Sequence, residues 1–223
     1  MAAAHVSPTI ALTAPGRRLF PVVTRIDGAD GVALTFDDGP DRSTEVFLEI
    51  LANAGATATF FVTGEQVTRH PTMLTEMVAS GHEIGIHGYT HRHHLLLTPG
   101  QVVDELERAK STIEDATGRP TTLFRPPHGI FSLASWFAVG RHGWCRVLWS
   151  RWGKDWEGEA SRESILGHVD HPVAGDVILL HDSDRYAVPG SWLNTADALP
   201  EIIARIEEQG LPIETVGSLL NRI

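Results

Sequence analysis

The sequence predicts an α/β fold in which parallel strands and helices alternate and close into a distorted, TIM-barrel-like (β/α)7 barrel. From residue 32 onward, short apolar runs alternate with amphipathic segments, which is the pattern of a parallel sheet covered by helices. Seven such units favour a closed or nearly closed barrel over an open sheet. No glycine-rich phosphate-binding motif follows any of these runs, so no motif supports nucleotide binding.

Seven apolar runs are the predicted strands, because each is short and apolar. The first of them ends in Asp37 and Asp38 and is followed by Gly39-Pro40, which is a turn signal. The predicted strands cover residues 32–38, 56–63, 83–87, 121–126, 145–150, 176–181 and 212–216.

Helices are predicted between these strands from apolar positions that share one face. Gly55, Gly81 and Gly118 each follow an amphipathic stretch and act as stop signals. Thr98-Pro99-Gly100-Gln101 fits a capping box with proline at the first helical position. The predicted helices cover residues 44–54, 71–80, 99–117, 132–141, 161–169 and 197–209.

The ends of the chain and its composition indicate one globular domain with an arm. Residues 1–30 are rich in Ala, Pro, Thr and Gly without periodicity, so we expect an irregular N-terminal arm, and residues 31–223 form the predicted domain. No run of about 18 or more apolar residues is present, so no membrane span is predicted. Residues 1–5 lack the basic-then-apolar order of a signal peptide.

Charge and cysteine content narrow the function classes. Hydrophobic residues make up 42% of the chain, as in ordinary globular proteins. The net charge of -10 argues against binding to nucleic acid or to an anionic membrane. The single cysteine, Cys145, has no partner for an internal disulfide and is predicted to be a buried, inert thiol. Twelve histidines, several of them clustered, are the first indication of a metal site.

Acids and imidazoles follow the first and third predicted strands. Asp37 and Asp38 are neighbours, and neighbouring strand residues point to opposite faces, so their roles must differ. His87 and His91 lie four residues apart, so both imidazoles reach one ion if the segment turns helically. One carboxylate with two imidazoles leaves positions for water and substrate, which predicts a catalytic metal site. Surface histidines in a loop are the alternative.

Arg125 ends the fourth predicted strand and is followed by Pro126-Pro127-His128. Two prolines fix the backbone, and a rigid loop is able to aim a backbone N–H inward as an oxyanion donor. Arg125 is predicted to pair with an acid at the barrel mouth and to hold that acid ionised. A salt bridge ahead of a proline-rich turn, without a catalytic role, is the alternative.

The sixth predicted strand ends at His181, which suits a general acid because the imidazole pKa lies near neutrality. Asp155 is the predicted partner that holds and charges this imidazole. The alternative is a packed histidine with a structural hydrogen bond that involves Asp182. The long loop that follows, residues 181–192, is predicted to form one wall of the cleft.

Three tryptophans, Trp149, Trp152 and Trp156, lie close together after the fifth predicted strand. Their faces suit stacking on sugar rings or acyl chains at a barrel rim, and we expect at least one of them to pack as core. His93 and His94 are poorly spaced for joining the metal site, so we assign them to a solvated loop or rim.

Taken together, these motifs resemble those of the polysaccharide deacetylase (NodB-homology) family, also called carbohydrate esterase family four. The resemblance runs from about residue 32 to residue 220 in unbroken order. The segments similar to the five family motifs are residues 35–40, 87–91, 125–129, 155–156 and 179–182.

The chain departs from the family pattern at four positions. Gly88 replaces the usual Ser or Thr, Arg92 the usual Pro, and His128 the usual aromatic residue. Trp152 stands where the fourth motif has its earlier Asp. These changes bear on the glycan that is accepted more than on the reaction.

The resemblance implies a divalent cation, most often zinc with cobalt, nickel or manganese as alternatives, held by Asp38, His87 and His91. It implies a metal-dependent N-deacetylase in which Asp37 is the base and His181 is the acid.

It further implies that Arg125 holds Asp37, that Asp155 tunes His181, and that the backbone N–H of His128 binds the oxyanion. Leu179 would line the acetyl pocket, and Trp152 and Trp156 would contact substrate.

The implied substrate is an N-acetylglucosamine-containing polymer or oligomer, either a chitooligosaccharide or peptidoglycan. Three alternatives stay open: an O-acetyl esterase acting on a xylan-like polysaccharide, a non-catalytic carbohydrate-binding relative, and a cyclic-amide hydrolase on the same fold. An acetylated glycan is the only partner expected, with the protein a monomer. By the resemblance it acts outside the cytoplasm or in the cell envelope.

Overall fold

A computed structural model describes residues 5–223 of the chain. The strands are β1 Val32–Asp37, β2 Thr59–Val62, β3 Glu83–Ile86, β4 Leu123–Phe124, β5 Cys145–Arg146, β6 Arg151–Trp152, β7 Val177–His181 and β8 Ile213–Glu214. The helices are α1 Thr44–Ala54, α2 Gly64–Arg69, α3 Pro71–Ala79, α4 Pro99–Thr117, α5 Leu133–Arg141, α6 Arg162–His168, α7 Ser191–Glu208 and α8 Val216–Leu220.

Strand β1 is the centre of the sheet and is buried along its whole length. The strand order is β5-β4-β3-β2-β1-β7-β6, and β8 pairs with the start of β1. All of these pairs are parallel. In register, Asp37 lies opposite Phe61 on one side and opposite His181 on the other. The carboxyl ends of β1 and β7 are therefore level, which is where sites lie in such folds.

A single segment, residues 145–152, joins the two edges of the sheet. Its first part, β5, pairs with β4, and its last part, β6, pairs with β7. Between them the backbone N–H of Leu148 donates to the carbonyl of Val23 at 2.7 Å. The predicted fifth strand, residues 145–150, is thus split because the segment changes its partner along its length. The sheet curls into the barrel that the sequence predicts, and the predicted fold class is confirmed.

Three helices differ from the sequence prediction, among them α8, a short helix after β8 that was not predicted. Helix α2 was not predicted because it is short and lacks an apolar repeat, and it begins at Gly64, where a Cβ would lie 2.4 Å from the Tyr89 ring. Helix α7 begins at Ser191 rather than at residue 197 and contains Pro200 in its interior. Proline is usually tolerated only in the first turn of a helix. Applied to Pro200, this rule makes the sequence prediction begin helix α7 too late.

The N-terminal arm is more ordered than the sequence predicts. Residues 1–4 lie outside the described residues, and beyond them the 3-10 helices Ser7–Leu12 and Gly16–Arg18 form. Arg25 forms a backbone bridge with Asp176 and an ion pair with its side chain at 2.6 Å. Because local turns and single bridges carry no periodicity, the sequence pattern does not reveal them.

Two further expectations concern membrane spans and the single cysteine. Within residues 5–223 no helix is both long enough and apolar enough to cross a bilayer. Cys145 is half-buried rather than buried, and partial burial raises the pKa of its thiol. The prediction of a fully buried thiol is wrong because Cys145 lies on the short edge strand β5.

His82 lies at the turn between α3 and β3 and is 6% exposed. Its Nδ1 accepts a hydrogen bond from the backbone N–H of Ala58 at 3.2 Å, and its ring meets the Phe60 ring edge-on at 5.3 Å between centroids. Burial lowers the pKa of His82 to about 4. The folded protein therefore holds this imidazole neutral, while the unfolded chain protonates it near pH 6.5.

This difference predicts a loss of stability as the pH falls from 6.5 towards 4, because in that window the unfolded chain binds a proton that the folded protein does not. The gap between the two pKa values corresponds to about 3 kcal/mol. In His82→Asn the amide oxygen replaces the acceptor but does not titrate, so its free energy of unfolding should fall less on acidification. Urea unfolding at pH 7 and pH 4.5 measures the difference. Equal losses in both proteins would contradict the prediction, and exposed His171→Asn is the control.

Candidate active site

Asp37 and Asp38 both line one pocket at the carboxyl end of β1, although adjacent strand residues normally face opposite ways. Asp37 is the last residue of the strand, whereas Asp38 has a φ of 84°. This left-handed backbone conformation is uncommon for a residue with a side chain, and it ends the alternation of the strand. Both carboxylates are buried, so each needs a compensating partner.

Asp38, His87 and His91 converge on one point. The Oδ1 atom of Asp38 lies 3.2 Å from Nε2 of His91 and 3.6 Å from Nε2 of His87, and the three potential ligand atoms lie within 4.8 Å of one another. Asp38 Oδ1 is buried without a hydrogen-bond partner. A buried, unpaired carboxylate oxygen facing two imidazole nitrogens is suited to a divalent cation such as zinc, so these residues fit the group that the sequence predicts.

The two histidines present their Nε2 atoms for different reasons. His87 Nδ1 donates to the backbone carbonyl of Arg125 at 2.8 Å, which fixes the tautomer and leaves the Nε2 lone pair towards Asp38. His91 has a φ of 53°, and the segment from His87 does not turn helically. The two imidazoles therefore meet through this irregular backbone and not through helical spacing. Burial holds the pKa of both imidazoles well below its usual range, so both are neutral and able to act as ligands.

Arg125 is fully buried and binds Asp37 directly. Its Nη1 donates to Oδ1 of Asp37 at 2.7 Å and to the hydroxyl of Thr35 at 2.8 Å. Its Nη2 donates to the carbonyl of Leu148 at 2.9 Å, and the guanidinium lies 4.1 Å from the centre of the Phe61 ring. Burial raises the pKa of Asp37, and the charge of Arg125 opposes that rise.

His181 is held by Asp155, which is 1% exposed. Nδ1 of His181 donates to Oδ1 of Asp155 at 2.8 Å, and its backbone N–H donates to Oδ2 at 2.7 Å. The hydroxyl of Thr195 also donates to Oδ2, at 2.9 Å. Burial opposes the charged imidazole, but Asp155 and the acids Asp38 and Asp37 outweigh it and raise the pKa of His181 to about 10.

The electrostatic field of the acids around the pocket favours a positive charge beside Asp38. Burial raises the pKa of Asp38 to about 7, and the neighbouring charges of Asp37, Asp182 and Asp155 add to the rise while His181 opposes it. Asp182, also buried, has a pKa raised to about 7 for the same main reason. Several acids with raised pKa values around one point mark a functional site.

The pocket has a volume of about 210 Å³. Arg125 and Asp155 do not line it but stand behind Asp37 and His181. The other predicted site residues share its wall with Gly129, Trp149 and Tyr186; they are Asp37, Asp38, His87, His91, His128, Leu179, Trp152, Trp156 and His181.

The three tryptophans form one side of the pocket. Trp149 packs against the hydrophobic core, as the sequence predicts for one of them. Trp152 is 37% exposed and stacks on Trp149 with ring centroids 5.7 Å apart. Trp156 meets the His181 ring edge-on at 5.3 Å. An aromatic wall of this kind suits a sugar ring or an acyl group.

The assignment of His93 and His94 to a solvated loop or rim is wrong for His94. His94 is 1% exposed and stacks over Phe124 at 6.1 Å, because the 3-10 helix that it opens turns it inward and leaves Leu96, 83% exposed, outside. His93 is half-buried and stacks on His128 at 5.1 Å. His128 itself has a φ of 59°.

Four residues at the site were not singled out from the sequence. Thr35 lies two residues before Asp37 on the same face of β1, so the strand period could have indicated it. Gly129 is required because a Cβ there would lie 2.4 Å from the Trp149 ring. Thr195 and Tyr186 lie on elements that carry no strand-end signal, although Tyr186 belongs to the predicted wall loop.

A parallel barrel whose rim carries a buried Asp-Arg pair, a buried Asp-His pair and an Asp-His-His cluster suits a hydrolase. The chain belongs to the polysaccharide deacetylase family, since the model of the family "Polysaccharide deacetylase" matches residues 25–146. It is 35% identical to the peptidoglycan-N-acetylglucosamine deacetylase of Bacillus cereus, over 85% of this chain and 87% of that protein. The resemblance that the motifs indicated is confirmed.

Other similar proteins differ in their described functions. The chain is 34% identical to the bifunctional xylanase/xylan deacetylase of Cellvibrio japonicus over 81% of its length, spanning 26% of that longer protein. It superposes with a TM-score of 0.76 and 26% identity on BA3943, a CE4 family pseudoenzyme from Bacillus anthracis, covering 86% of this chain and 66% of that one.

The hydrogen bond and charge of Asp155 predict how His181 titrates. In the metal-free protein, Asp155→Asn should lower the pKa of His181 by at least about one unit, because an anion that stabilises the imidazolium is removed. NMR titration of the His181 ring measures this. An unchanged pKa would contradict the assignment, and Asp197→Asn, at a more exposed position, is the charge control.

Proposed function

We propose that residues 31–223 form a metal-dependent hydrolase domain that removes N-acetyl groups from an N-acetylglucosamine-containing polymer or oligomer, either peptidoglycan or a chitooligosaccharide. The observation that carries the proposal is that two hydrogen-bonded side-chain pairs flank the cluster of potential metal ligands. Asp37, bonded to Arg125, and His181, bonded to Asp155, flank the Asp38-His87-His91 cluster.

The cation of this proposal is zinc, which suits two imidazoles and one carboxylate better than a harder ion does. Asp38, His87 and His91 would hold it, through one carboxylate oxygen and two Nε2 atoms. When bound, such an ion polarises an amide carbonyl and lowers the pKa of water towards about 7.

Asp37 is the general base of the proposal. Its Oδ1 is occupied by Arg125, and its Oδ2 lies 3.6 Å from Nε2 of His87, on the side of the metal ligands. This leaves one oxygen facing the pocket to take the proton of the attacking water. Arg125 keeps the carboxylate oriented, and burial keeps it more basic than a solvated aspartate.

His181 is the general acid. Its Nδ1 is committed to Asp155, so Nε2 is the atom that gives its proton to the leaving amine. The amine is a poor leaving group unless it is protonated as the C–N bond breaks, so the reaction needs an acid that stays charged at neutral pH. Asp155 raises the pKa of His181, which favours the charged imidazole that this step needs.

The remaining pocket residues bind the substrate. The backbone N–H of His128, in a loop fixed by two prolines, stabilises the oxyanion of the tetrahedral intermediate. Leu179 and Trp156, both lining the pocket beside His181, receive the acetyl methyl group. Trp152, the exposed end of the aromatic wall, contacts the sugar.

The glycan-binding alternative without catalysis is disfavoured by the residues present. Both hydrogen-bonded pairs, Arg125 with Asp37 and Asp155 with His181, are complete. A protein that only binds a glycan does not need a charged acid opposite a base. The xylan O-acetyl esterase alternative uses the same residues, so only the substrate separates it from the proposal.

The proposal predicts acetate release from chitooligosaccharides and peptidoglycan fragments, with a slower release from acetylated xylan. Dialysis against a chelator should abolish the activity and Zn²⁺ should restore it, as followed by an enzyme-coupled acetate assay. Acetate from xylan alone would contradict the N-deacetylase assignment. Zn²⁺ binding with no acetate from any of the three would contradict catalysis.

The base assignment predicts that Asp37→Asn lowers kcat by about 10²- to 10⁴-fold while Zn²⁺ binding persists, because Asp37 is not a ligand. Acetate release and a Zn²⁺ titration are measured on the same preparation. Near-full activity in a zinc-loaded Asp37→Asn protein would exclude Asp37 as the base.

A further inference from the structure

The three metal ligands of the proposed function are not held in the same way. Asp38 follows a strand end, and His87 is oriented by the Arg125 carbonyl. His91 lies outside any strand or helix, at the end of a loop. Buried Glu105 of α4 fixes the backbone of that loop by accepting from the N–H groups of Tyr89 and Thr90 at 3.2 and 2.9 Å.

The ring of His91 is fixed by a different residue, Tyr186. The two rings are nearly parallel, with centroids 4.3 Å apart and 10° between their planes. The His128 ring meets His91 edge-on at 4.6 Å between centroids. A planar ligand packed against one face of an aromatic ring has a fixed plane, so the direction of its Nε2 lone pair is set as well.

Tyr186 is itself anchored at its far end. Its hydroxyl donates to the carboxylate of Glu65 in α2 and lies 3.3 Å from the hydroxyl of Thr63, which follows β2. The ring therefore spans from the loop after β7 to the start of α2, passing along the face of His91. One end rests on the loop after β7. The other rests on the start of α2, which is itself tied to the His91 loop, because the backbone N–H groups of Gly64 and Glu65 donate to the carbonyls of Gly88 and Tyr89 at 3.0 and 2.9 Å.

We infer that Tyr186 is a positioning residue for the metal site, which holds the imidazole plane of His91 through ring stacking and thereby sets the affinity for the cation. This inference rests on the proposed function only for the presence of the metal. The stacked ring carries the effect, and the hydroxyl anchor adds to it. Mutation of the hydrogen-bonded groups that orient metal ligands typically changes metal affinity by about 10- to 100-fold, and we expect an effect of the same order from the stacked ring.

The test compares two substitutions by Zn²⁺ titration against a chromophoric chelator. Tyr186→Leu removes the stacking ring, so we expect the Kd for Zn²⁺ to rise by about 10- to 100-fold. Tyr186→Phe keeps the ring and loses only the hydroxyl, so it should restore most of the affinity. Phe137→Leu removes an exposed ring on α5 and serves as the matched control, and thermal unfolding without metal reports on folding.

A second readout reports ligand geometry directly. The visible absorption of the Co²⁺-loaded protein should change in Tyr186→Leu and stay close to that of the unaltered protein in Tyr186→Phe. Unchanged Zn²⁺ affinity in Tyr186→Leu, or equal losses in both variants, would overturn the inference. So would a raised KM with unaltered metal binding, which would make Tyr186 a substrate contact. The Zn²⁺ titration and the Co²⁺ spectrum do not depend on which glycan is cleaved.

Discussion

The buried guanidinium of Arg125 is the interaction on which the rest of the structure depends. It joins β1, through Asp37 and Thr35, to the closing segment of the barrel, through the carbonyl of Leu148. Removing one partner of a buried ion pair leaves an uncompensated charge and typically costs about 3–5 kcal/mol. The contacts that fill the barrel interior are thus the same contacts that orient the reacting carboxylate, so stability and chemistry are not separable at this residue.

The pocket is organised in two layers. Asp37 and His181 face the cavity, and each is bonded to a buried partner that does not, Arg125 and Asp155 respectively. Dipoles and charges that are already in place need no reorganisation during a reaction, which is why such support is effective. The parallel register makes this arrangement compact, because Asp37 and His181 are direct neighbours across β1 and β7.

The sequence is most informative where chemistry coincides with a strand end. Each of the predicted metal-ligand, base and acid residues lines the one pocket, because parallel strands bring their carboxyl ends to one rim. The sequence is least informative where tertiary contacts determine the position of a side chain. Nothing local indicates that His94 turns inward onto Phe124, or that Tyr186 reaches back to Glu65 across 121 residues of chain. Helix α7 likewise continues through Pro200, although local rules would place a proline in the first turn of a helix.

The closing segment, residues 145–152, has a consequence for how this molecule is able to diverge. Its start and its end are each locked to a different strand, and the tryptophan wall lies on and just beyond it. An insertion or deletion there would displace the pairing with β4 and the pairing with β7 together, so the length of the segment is constrained. Its exposed side chain Trp152 is freer to vary than the buried Val147 and Leu148. The loop from β7 to α7 bears no such double attachment to the sheet. Evolution of new glycan preferences is therefore expected through point changes on the tryptophan wall and through changes of length in the part of the β7–α7 loop beyond Tyr186, whose hydroxyl is bonded to Glu65.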